Sequence, residues 1–337
     1  MLLSAKNCLI NLISNYILGN VYDHGNHQIK ARKVHFDFSE SSVCWMPNDP
    51  LCSHIANGIN MLLPVGEFWF CRVFNKTLPY IKDPKLKDDV TGFIRQEAAH
   101  ARAHEKVQDF LKENGYDIQD SLNRAHLIFN VLLGDKPLGI PFIKGEKIDE
   151  YWLLFRVGVI AAIEHFTGTI GQWTLESKSW DKADPAMSDL FRWHLAEEVE
   201  HRCVAYDLFE HLLSNKLGFY VSRQVIMLAI FPLFIYFLAD FARNLGKQDL
   251  DHQDMQKLMR RGFFTFIRKF EETATKTDHL PTIKYLFKAA LRWVSPQFNP
   301  IHEGNTEQAL AYIANSPAVQ FFENVAQQKS FKVSTFS

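Results

Sequence analysis

Apolar residues recur every three or four positions along most of the chain, a pattern typical of α-helices that bury one face. Four long helices are predicted: Asp49 to about Thr77 with an interruption at Pro64, Asp83 to about Asn114, about Asp149 to Ser177, and Asp184 to about Leu213. Asp-Pro pairs open three of them, because Asp can cap a helix whose first position is Pro. No alternating run bounded by turn residues predicts a strand. The fold is predicted to be all-α.

A long connection separates the second and third predicted helices. It holds a short amphipathic piece, SLNRAHLIFNVLL, and a Gly/Pro-rich loop, GDKPLGIPFIKGEK, which together can cross the length of a bundle. A four-helix bundle with a long crossover between helices 2 and 3 has the ferritin-like connection. We therefore expect an N-terminal arm at 1–48, a ferritin-like four-helix bundle at 49–215, and a C-terminal helical extension at 216–337 packed on the bundle.

Further helices are predicted in the C-terminal extension. They are VIMLAIFPLFIYFLA, KLMRRGFFTFIRKFEETATK, TIKYLFKAALRWV and a last helix from about Glu307 to Gln328, with a turn at SPQFNPIHEGNT before it. The stretch from Val225 to Ala239 is uncharged but shorter than the roughly 20 residues of a bilayer span. We interpret it as a buried or bundle-capping helix, with contact at a membrane surface as the alternative and a true span as the least favoured reading.

Two of the four long helices carry the same Glu-x-x-His motif. RQEAAHARAH contains Glu97 and His100, and RWHLAEEVEH contains Glu198 and His201. Residues three apart share one face of a helix, so each motif presents a carboxylate and an imidazole together. Surface helices usually alternate carboxylates with Lys or Arg instead. The motifs therefore indicate metal binding rather than a solvated face.

The other two long helices each carry a lone carboxylate in apolar sequence. Glu67 lies in LPVGEFWFCRVF and Glu164 in GVIAAIEHFTGTIGQW, where an unpaired charge is costly. The order Glu, Glu-x-x-His, Glu, Glu-x-x-His on four helices matches the ligands of a ferritin-like dimetal site. Four carboxylates can neutralise two divalent cations while imidazoles fill terminal positions. The six predicted metal-binding and catalytic residues are Glu67, Glu97, His100, Glu164, Glu198 and His201.

Residues beside these motifs leave alternatives open. Glu197 lies four residues before His201 and could replace Glu198, although the spacing of the other motif favours Glu198. Glu197 and Glu200 are otherwise interpreted as solvated or as supporting the ligands. His194 lies one turn before Glu198 and is a candidate seventh metal ligand, with a supporting or structural role as its alternative.

Two further histidines carry weaker predictions. His104 lies one turn beyond His100, so it shares the ligand face and is a candidate ligand by the same reasoning. His165 points about 100° away from Glu164 around the helix axis. It is interpreted as the partner of a carboxylate or a carbonyl group.

Five segments together resemble the bacterial family of predicted metal-dependent hydrolases, a ferritin-like group. They are KVHFDFS, GEFWFCRVF, IRQEAAHARAHEK, AIEHFTG and RWHLAEEVEHRCVAYD, from about Lys33 to Asp207 and beyond. This resemblance implies hydrolysis. The order His194, Glu198, His201 is also similar to the ligand helix of the di-iron N-oxygenases that oxidise arylamines, which implies a seven-residue ligand set including His194. Their substrate is not implied, because no similarity outside the ligands is evident.

Two enzyme classes can use this ligand set. A non-haem di-iron oxygenase or oxidase would use O₂ on a small, lipophilic organic substrate, and we favour it because all-helical glutamate-rich sites mostly handle oxygen. The alternative is a metal-dependent hydrolase in which a metal-bridging hydroxide attacks an ester or phosphate. A non-catalytic metal-binding protein is the second alternative. Two transition-metal ions are expected, with iron first and manganese or zinc as alternatives.

The composition of the chain indicates which binding partners and which cellular compartment to expect. Lys and Arg number 37 against 38 Asp and Glu, so no overall field favours nucleic acid. Five cysteines without a CxxC pair indicate reduced thiols and a cytoplasmic protein, with membrane association left open. The first 20 residues are predicted to form an amphipathic docking helix rather than a signal peptide. A homodimer, and an electron-transfer protein docked near Arg260, Arg261 and Arg268, are further expectations.

Overall fold

The computed structural model describes residues 27–322, and this part of the chain is all-α, as predicted, with no strand. The eleven α-helices that lie wholly within it are α1 (Pro50–Thr77), α2 (Pro84–Glu113), α3 (Gln119–His126), α4 (Glu146–Glu176), α5 (Pro185–His201), α6 (Val204–Leu212), α7 (Lys216–Gly246), α8 (Gln253–Met259), α9 (Phe263–Thr277), α10 (Ile283–Val294) and α11 (Thr306–Asn315). A π-helical turn, Leu127–Leu132, follows α3. The N-terminal docking helix expected in residues 1–20 lies outside the described residues.

Aspartates cap three of the bundle helices as the Asp-Pro pairs predicted. The side chain of Asp49 accepts a hydrogen bond of 3.0 Å from the backbone N–H of residue 52, Asp83 accepts one of 2.8 Å from residue 86, and Asp184 accepts one of 2.9 Å from residue 187. Each carboxylate thereby satisfies a backbone donor that has no partner inside the helix. The chain is fixed in this way at the start of α1, α2 and α5.

The predicted interruption at Pro64 is wrong, because α1 runs through it without a break. A proline inside a helix cannot donate to the carbonyl four residues earlier, which here belongs to Asn60. The side chain of Gln108, on α2, donates a hydrogen bond of 2.7 Å to that carbonyl instead. The helix therefore continues because a neighbouring helix supplies the missing donor.

The fourth predicted helix is in fact two helices, α5 and α6, separated by a turn at Arg202 and Cys203. The guanidinium of Arg202 donates to the carbonyls of Val199, Pro300 and Ile301 and so ties this turn to the chain before α11. The spacing of apolar residues cannot predict a helix end that depends on hydrogen bonds to acceptors so far away in sequence. The turn leaves His201 in the last position of α5.

Two of the helices predicted in the C-terminal extension are also divided. The basic segment forms α8 and α9, with the side chain of Arg243 donating to the carbonyls of Met259 and Arg261 at the break. The last predicted helix ends at α11, and helical residues resume at 317–322 beyond Ser316. Pro317 disfavours a helical conformation in the residue before it. The rest of that predicted helix lies outside the described residues.

The long helices pack in pairs around a buried centre. Helix α1 lies against α2, α4 lies against α5 and α6, and α7 lies across α1 and α4. Two contacts are close because a glycine lies in each: a Cβ at Gly58 would lie 2.7 Å from the backbone nitrogen of Ala242, and one at Gly171 would lie 2.4 Å from the carbonyl oxygen of Leu195. The ferritin-like topology and the domain boundaries stay predictions.

Two helices of the described residues, α4 and α7, are long and apolar enough to cross a membrane by length and composition alone. The apolar window of α4 is 67% buried, as in the core helix of a globular protein, whereas that of α7 is 28% buried. Helix α7 packs on the bundle with one face, and Val225 and Leu228 are exposed on the other. Of the predicted buried or bundle-capping helix, full burial is therefore wrong, whereas packing on the other helices with one face fits the contacts.

An arm without regular secondary structure, residues 27–49, lies along the bundle. The indole of Trp45 donates to the side chain of Asn57 on α1, and the amide of Asn57 donates to the carbonyl of Val43. Phe36 packs against Trp193 of α5, with 5.7 Å between ring centroids. These contacts hold the arm against α1 and α5.

Candidate metal centre

The structure brings all seven predicted site residues together inside the bundle. They form two neighbouring groups: Glu67, His100 and His194 in the first, and Glu97, Glu164, Glu198 and His201 in the second. Within each group, one candidate ligand atom from every residue lies within 4.8 Å of the others. Helices α1, α2, α4 and α5 each contribute, and all seven side chains are buried.

Glu198 faces both groups. Its Oε1 atom lies 2.8 Å from Nε2 of His194 and 3.5 Å from Nδ1 of His100, both in the first group. Its Oε2 atom lies 3.3 Å from Nε2 of His201 in the second group. A carboxylate with one oxygen turned toward each group can bridge two ions.

Buried polar atoms without partners test whether this cluster suits metal ions. Among the described residues, nothing donates a hydrogen bond to either carboxylate oxygen of Glu67, Glu97 or Glu164. Nδ1 of His100 and Nε2 of His201 also lack hydrogen-bond partners. Leaving so many buried polar atoms unsatisfied is costly. Carboxylates and imidazoles are ligands of iron, manganese and zinc, so the donor set fits the ions that the sequence implies.

Without cations, the charges of the cluster conflict. Burial, followed by repulsion from neighbouring carboxylates, raises the pKa of Glu67 and Glu97 well above the usual range and that of Glu164 to about 8. Burial alone would lower the pKa of His201, but the carboxylates of Glu198 and Glu164 outweigh it and raise this pKa to about 10. Without metal ions, protons would therefore bind to the cluster. Two divalent cations could instead offset its four negative charges.

Outer residues hold the two Glu-x-x-His imidazoles. Nε2 of His100 lies 2.8 Å from Glu197, and Nδ1 of His201 lies 2.9 Å from the side-chain oxygen of Gln96. The amide of Gln96 in turn donates to Glu200. Each imidazole therefore presents its other nitrogen to the cluster. Ligand histidines are commonly oriented by such a partner on the far side of the ring.

Arg32 of the arm joins these outer carboxylates. Its guanidinium donates to Glu197 at 3.1 Å and also to Glu200. Both carboxylates are buried, so the reading of Glu197 and Glu200 as solvated is wrong, and their supporting role fits the contacts. Although Arg32 opposes it, burial raises the pKa of Glu197 to about 8. Glu197 lies on the far side of His100 and belongs to neither candidate metal group.

A chain of hydrogen bonds fixes the tautomer of His194. The amide of Asn60 donates to a backbone carbonyl, so its oxygen is left to accept from Nδ1 of His104 at 2.5 Å. Nε2 of His104 can then accept from Nδ1 of His194, 2.6 Å away. In a neutral ring this leaves no proton on Nε2 of His194, so the 2.8 Å contact of that atom with Glu198 needs either a further proton or a metal ion between the two atoms. His104 is thus placed to orient His194, and it belongs to neither candidate metal group.

Sequence reasoning missed several of the residues that support the site. Thr167, which donates to Glu198 at 2.6 Å, lies three residues after Glu164 and could have been found by helical spacing. Gln96 precedes a predicted ligand, so its place beside the cluster carried a weak signal. Arg32 lies in an irregular segment far away in sequence, where no local pattern pointed to the site.

An apolar cavity of about 200 Å³ reaches the cluster. Glu67, Glu164, Glu198 and Thr167 form part of its wall, and the rest is largely aliphatic and aromatic. Aromatic and aliphatic side chains from α1, α5 and α7 line it, namely Leu62, Phe70, Phe191, Ile230, Phe234 and Phe237. The site therefore opens into a space suited to a lipophilic group.

Four aromatic residues lie next to predicted ligands in the sequence, namely Phe68, Trp69, Phe70 and Phe166, and three of them do not line this cavity. Phe68 and Trp69 are not part of its wall, and Phe166 stacks on Phe234 behind it. Only Phe70 of that set reaches the cavity. The ring of His165 donates a hydrogen bond of 2.9 Å to the carbonyl of Ala289, which confirms its prediction as a carbonyl partner.

These features define an all-α protein with a buried carboxylate and imidazole cluster suited to transition-metal ions. The model of the family described as "Predicted metal-dependent hydrolase" matches residues 30–304, and the chain belongs to this family. The match confirms the resemblance drawn from the sequence motifs. A comparison with curated proteins and one with solved structures found no significant match.

Proposed function

We propose that the protein is a dinuclear metal-dependent hydrolase that acts on a lipophilic ester. The observation that carries this proposal is the buried cluster of three carboxylates without hydrogen-bond donors, placed at the end of an apolar cavity. The family description supports hydrolysis over the oxygen chemistry that the helical ligand set first suggested. Two divalent ions would supply a Lewis acid and a water of lowered pKa.

The seven clustered residues would hold the ions, and the residues around them would prepare the site for reaction. Asn60 and His104 hold the Nδ1 side of His194, which leaves Nε2 as the nitrogen that would bind an ion. Thr167 donates its hydroxyl hydrogen to Glu198 and so steadies the carboxylate that faces both groups. Glu67 and Glu164 reach the cavity wall, where a carboxylate can accept the proton that an attacking water loses.

The apolar cavity supports a substrate with an acyl chain or an aromatic group. Its walls exclude water around the ligands and strengthen the electrostatic interactions inside the site. A volume of about 200 Å³ accommodates only part of a large molecule, so we expect the reactive end to enter while the remainder stays outside.

Helix α7 supports a route from a membrane surface to this cavity. Ile230, Phe234 and Phe237 line the cavity, whereas Val225 and Leu228 are exposed on the same helix. Exposed apolar residues on one helix that carry little charge favour contact with a lipid interface. We therefore propose a cytoplasmic protein that binds membranes peripherally through α7 and takes its substrate from the lipid phase.

Neighbouring helix α10 adds charge beside this apolar surface. Phe287, half exposed, lies 6.0 Å from Phe231 of α7 between ring centroids. The exposed residues Lys284 and Lys288 flank it. Basic side chains beside apolar ones favour a surface that carries anionic lipid.

A comparison of metal-loaded forms tests the reaction. Metal-free protein would be loaded with Zn²⁺ or Mn²⁺ under nitrogen and assayed with nitrophenyl esters of increasing acyl length. We expect turnover that needs metal, increases with chain length and is lost in Glu97→Ala. Glu113→Ala, an exposed glutamate on the same helix, is the matched control and should keep full activity. Equal turnover without metal would contradict the proposal.

Oxygen activation is the second candidate. It is favoured by a specific observation, since all seven clustered residues come from helices and the cavity beside them is apolar. Protein loaded with Fe(II) under nitrogen would then be mixed with O₂, and oxygen consumption and the optical spectrum recorded. Rapid oxygen uptake by wild type but not Glu97→Ala, with no anaerobic ester cleavage, would favour an oxygenase or oxidase over the hydrolase.

Vesicle binding tests the membrane route independently of the reaction. We expect the protein to sediment with vesicles that contain anionic lipid and to be released by Leu228→Ser. Leu127→Ser, also an exposed leucine but outside α7, is the control and should leave binding unchanged. Sedimentation that is equal for wild type and Leu228→Ser would exclude α7 as the docking surface.

A further inference from the structure

A second cluster of metal-binding side chains lies away from the bundle centre, where three segments meet. The arm supplies Cys44, α1 supplies His54, and the connection between α7 and α8 supplies Asp249 and His252. His54 and Asp249 are buried, Cys44 is half-buried, and the side chain of His252 is 42% exposed. One edge of the cluster therefore faces solvent, which gives an ion a path in.

The distances among Cys44, His54 and Asp249 suit a single small cation, because one ligand atom from each lies within 4.8 Å of the others, and His252 lies beside Cys44 and Asp249. The Cys44 sulfur lies 3.6 Å from Oδ2 of Asp249 and 3.7 Å from Nδ1 of His252. Tetrahedral zinc, with bonds of about 2.3 Å to sulfur and about 2.0 Å to nitrogen or oxygen, separates its ligand atoms by about 3.3–3.6 Å. Oδ2 of Asp249 lies nearer to the imidazoles, 2.7 Å from His54 and 3.0 Å from His252, and these pairs would open slightly around an ion.

The backbone already orients Asp249 toward the cluster. Its Oδ1 atom accepts hydrogen bonds from the backbone N–H groups of Asp251, at 3.1 Å, and His252, at 3.0 Å. This leaves Oδ2 directed at the cysteine and the two imidazoles. A carboxylate held by backbone donors on one oxygen is preorganised to bind a cation with the other.

We infer that Cys44, His54, Asp249 and His252 form a mononuclear site for a zinc-type divalent cation, separate from the candidate dinuclear centre. Cys44, His54 and Asp249 supply three ligands that already converge, and a movement of the partly exposed His252 toward the ion would complete the four that are typical of structural zinc. Burial and the nearby Asp249 raise the pKa of the Cys44 thiol to about 12, so the metal-free site keeps its proton. Binding of the cation displaces that proton to solvent.

The ion would tie the arm to two distant parts of the chain. Cys44 lies in the arm that also carries Arg32, which pairs with Glu197 and Glu200 beside the dinuclear centre. An ion bound jointly by the arm, α1 and the connection after α7 would hold this irregular segment in place. The site thus has a structural role that does not depend on the reaction assigned to the bundle.

Cobalt substitution distinguishes the two sites, because only the second contains a cysteine. Metal-free, reduced wild-type protein would be titrated with Co²⁺ and followed in the near ultraviolet, where cobalt–thiolate charge transfer absorbs strongly. We expect the saturated band to have the intensity of one cobalt–thiolate centre per chain and to vanish on addition of Zn²⁺. Cys44→Ser should abolish the band, whereas Cys52→Ser, a buried cysteine outside the cluster, should keep it.

His252→Ala provides a second variant that need not disturb folding, since its side chain is 42% exposed. It should keep a thiolate band but require at least tenfold more Co²⁺ for half saturation. Absence of the band in wild type, its persistence in Cys44→Ser, or an unchanged titration in His252→Ala would overturn the assignment. Glu97→Ala, which lacks a residue of the dinuclear centre, should leave the band intact.

Discussion

Nε2 of His100 lies 2.8 Å from the carboxylate of Glu197, on the side of the imidazole that faces away from the candidate metal cluster. Nδ1 of the same ring lies 3.5 Å from Glu198 and 3.8 Å from Glu97. One glutamate thus fixes the ring while the adjacent glutamate in sequence belongs to the cluster. Neighbouring residues on a helix point about 100° apart, which is why Glu197 and Glu198 can serve different purposes.

Glu197→Gln should weaken metal binding without removing it. The glutamine keeps an acceptor for His100 but cannot carry the negative charge that Glu197, whose pKa burial raises to about 8, would take on beside a metal-bound imidazole. We expect a roughly 10–100-fold loss of affinity, the usual effect of removing such an outer partner. Competition with a coloured chelator measures the change, and Glu113→Gln on α2 controls for the loss of one charge. Equal affinity in Glu197→Gln and wild type would show that this carboxylate does not tune the site.

Metal stoichiometry should distinguish a bridging glutamate from a terminal one. Glu198 faces both groups of ligands, so Glu198→Ala should lose most of both ions. Glu67 belongs to the first group, and Glu67→Ala should retain about one ion, held by the second group. Elemental analysis of purified, metal-loaded variants gives the count. A full complement in Glu198→Ala would remove this residue from the ligand set.

Removal of metal should lower the melting temperature at neutral pH. Four buried carboxylates repel one another and lose water on folding, and divalent ions offset both costs. Differential scanning calorimetry before and after chelation, with metal content checked in each sample, measures the effect. Glu97→Ala should show a much smaller decrease on chelation because it starts with little metal. A verified metal-free protein that melts at the wild-type temperature would contradict convergence of the glutamates.

The buried imidazole of His165 should make the protein less stable in acid. Burial lowers its pKa from 6.5 to about 4 in the folded protein. The unfolded chain therefore binds a proton between pH 6.5 and 4 that the folded chain does not, and the free energy of unfolding falls as pH decreases through this window. His165→Gln keeps a donor for the Ala289 carbonyl without titrating.

Denaturant unfolding at several pH values compares His165→Gln with wild type. The variant should be less stable than wild type, or equal to it, at pH 7.5, and should lose less stability on the way to pH 4.5. The difference between the two free-energy curves isolates His165 from the other titrating groups. Parallel curves would mean that another residue dominates acid sensitivity.

Gly58→Ala should destabilise the contact between α1 and α7. The new methyl group would lie 2.7 Å from the backbone nitrogen of Ala242, which cannot rotate away. We expect a cost of about 1–3 kcal/mol, typical of overpacking, despite the better helix propensity of alanine. Gly262→Ala has open space around the added carbon and is the control. Chemical denaturation measures both, and an equally small effect at the two glycines would show that the helices can separate at little cost.

Helical periodicity explains why the seven cluster residues could be predicted from sequence. Three- and four-residue spacings place ligands on one face, so Glu97 with His100 and Glu198 with His201 could be paired before any tertiary contact was known. Glu67 and Glu164 could be added to these pairs because an unpaired carboxylate is costly to bury in an apolar helix, so each indicated a metal ligand. The order of these residues along four predicted helices then suggested the ferritin-like arrangement, which stays a prediction.

Long-range partners explain what could not be predicted. Helix α1 continues through Pro64 because Gln108 of another helix donates to the freed carbonyl. Helix α5 ends where Arg202 reaches carbonyls about 100 residues away in sequence. Arg32 and Cys44 lie in a segment without periodicity, so their positions depend entirely on how the arm lies on the finished bundle.

Because the arm is irregular and lies over the candidate metal centre, its conformation should depend on whether that centre holds metal ions. Residues 27–49 have no helical hydrogen-bond ladder, so side-chain contacts with the helices, such as those of Trp45 and Phe36, hold the arm in place. Its Arg32 pairs with Glu197, whose carboxylate stays ionised more readily when the imidazole it supports is bound to a cation. The rate at which a protease cleaves the arm should therefore depend on whether the centre holds metal ions. Gel electrophoresis of the digest would measure this for a site that the helices enclose.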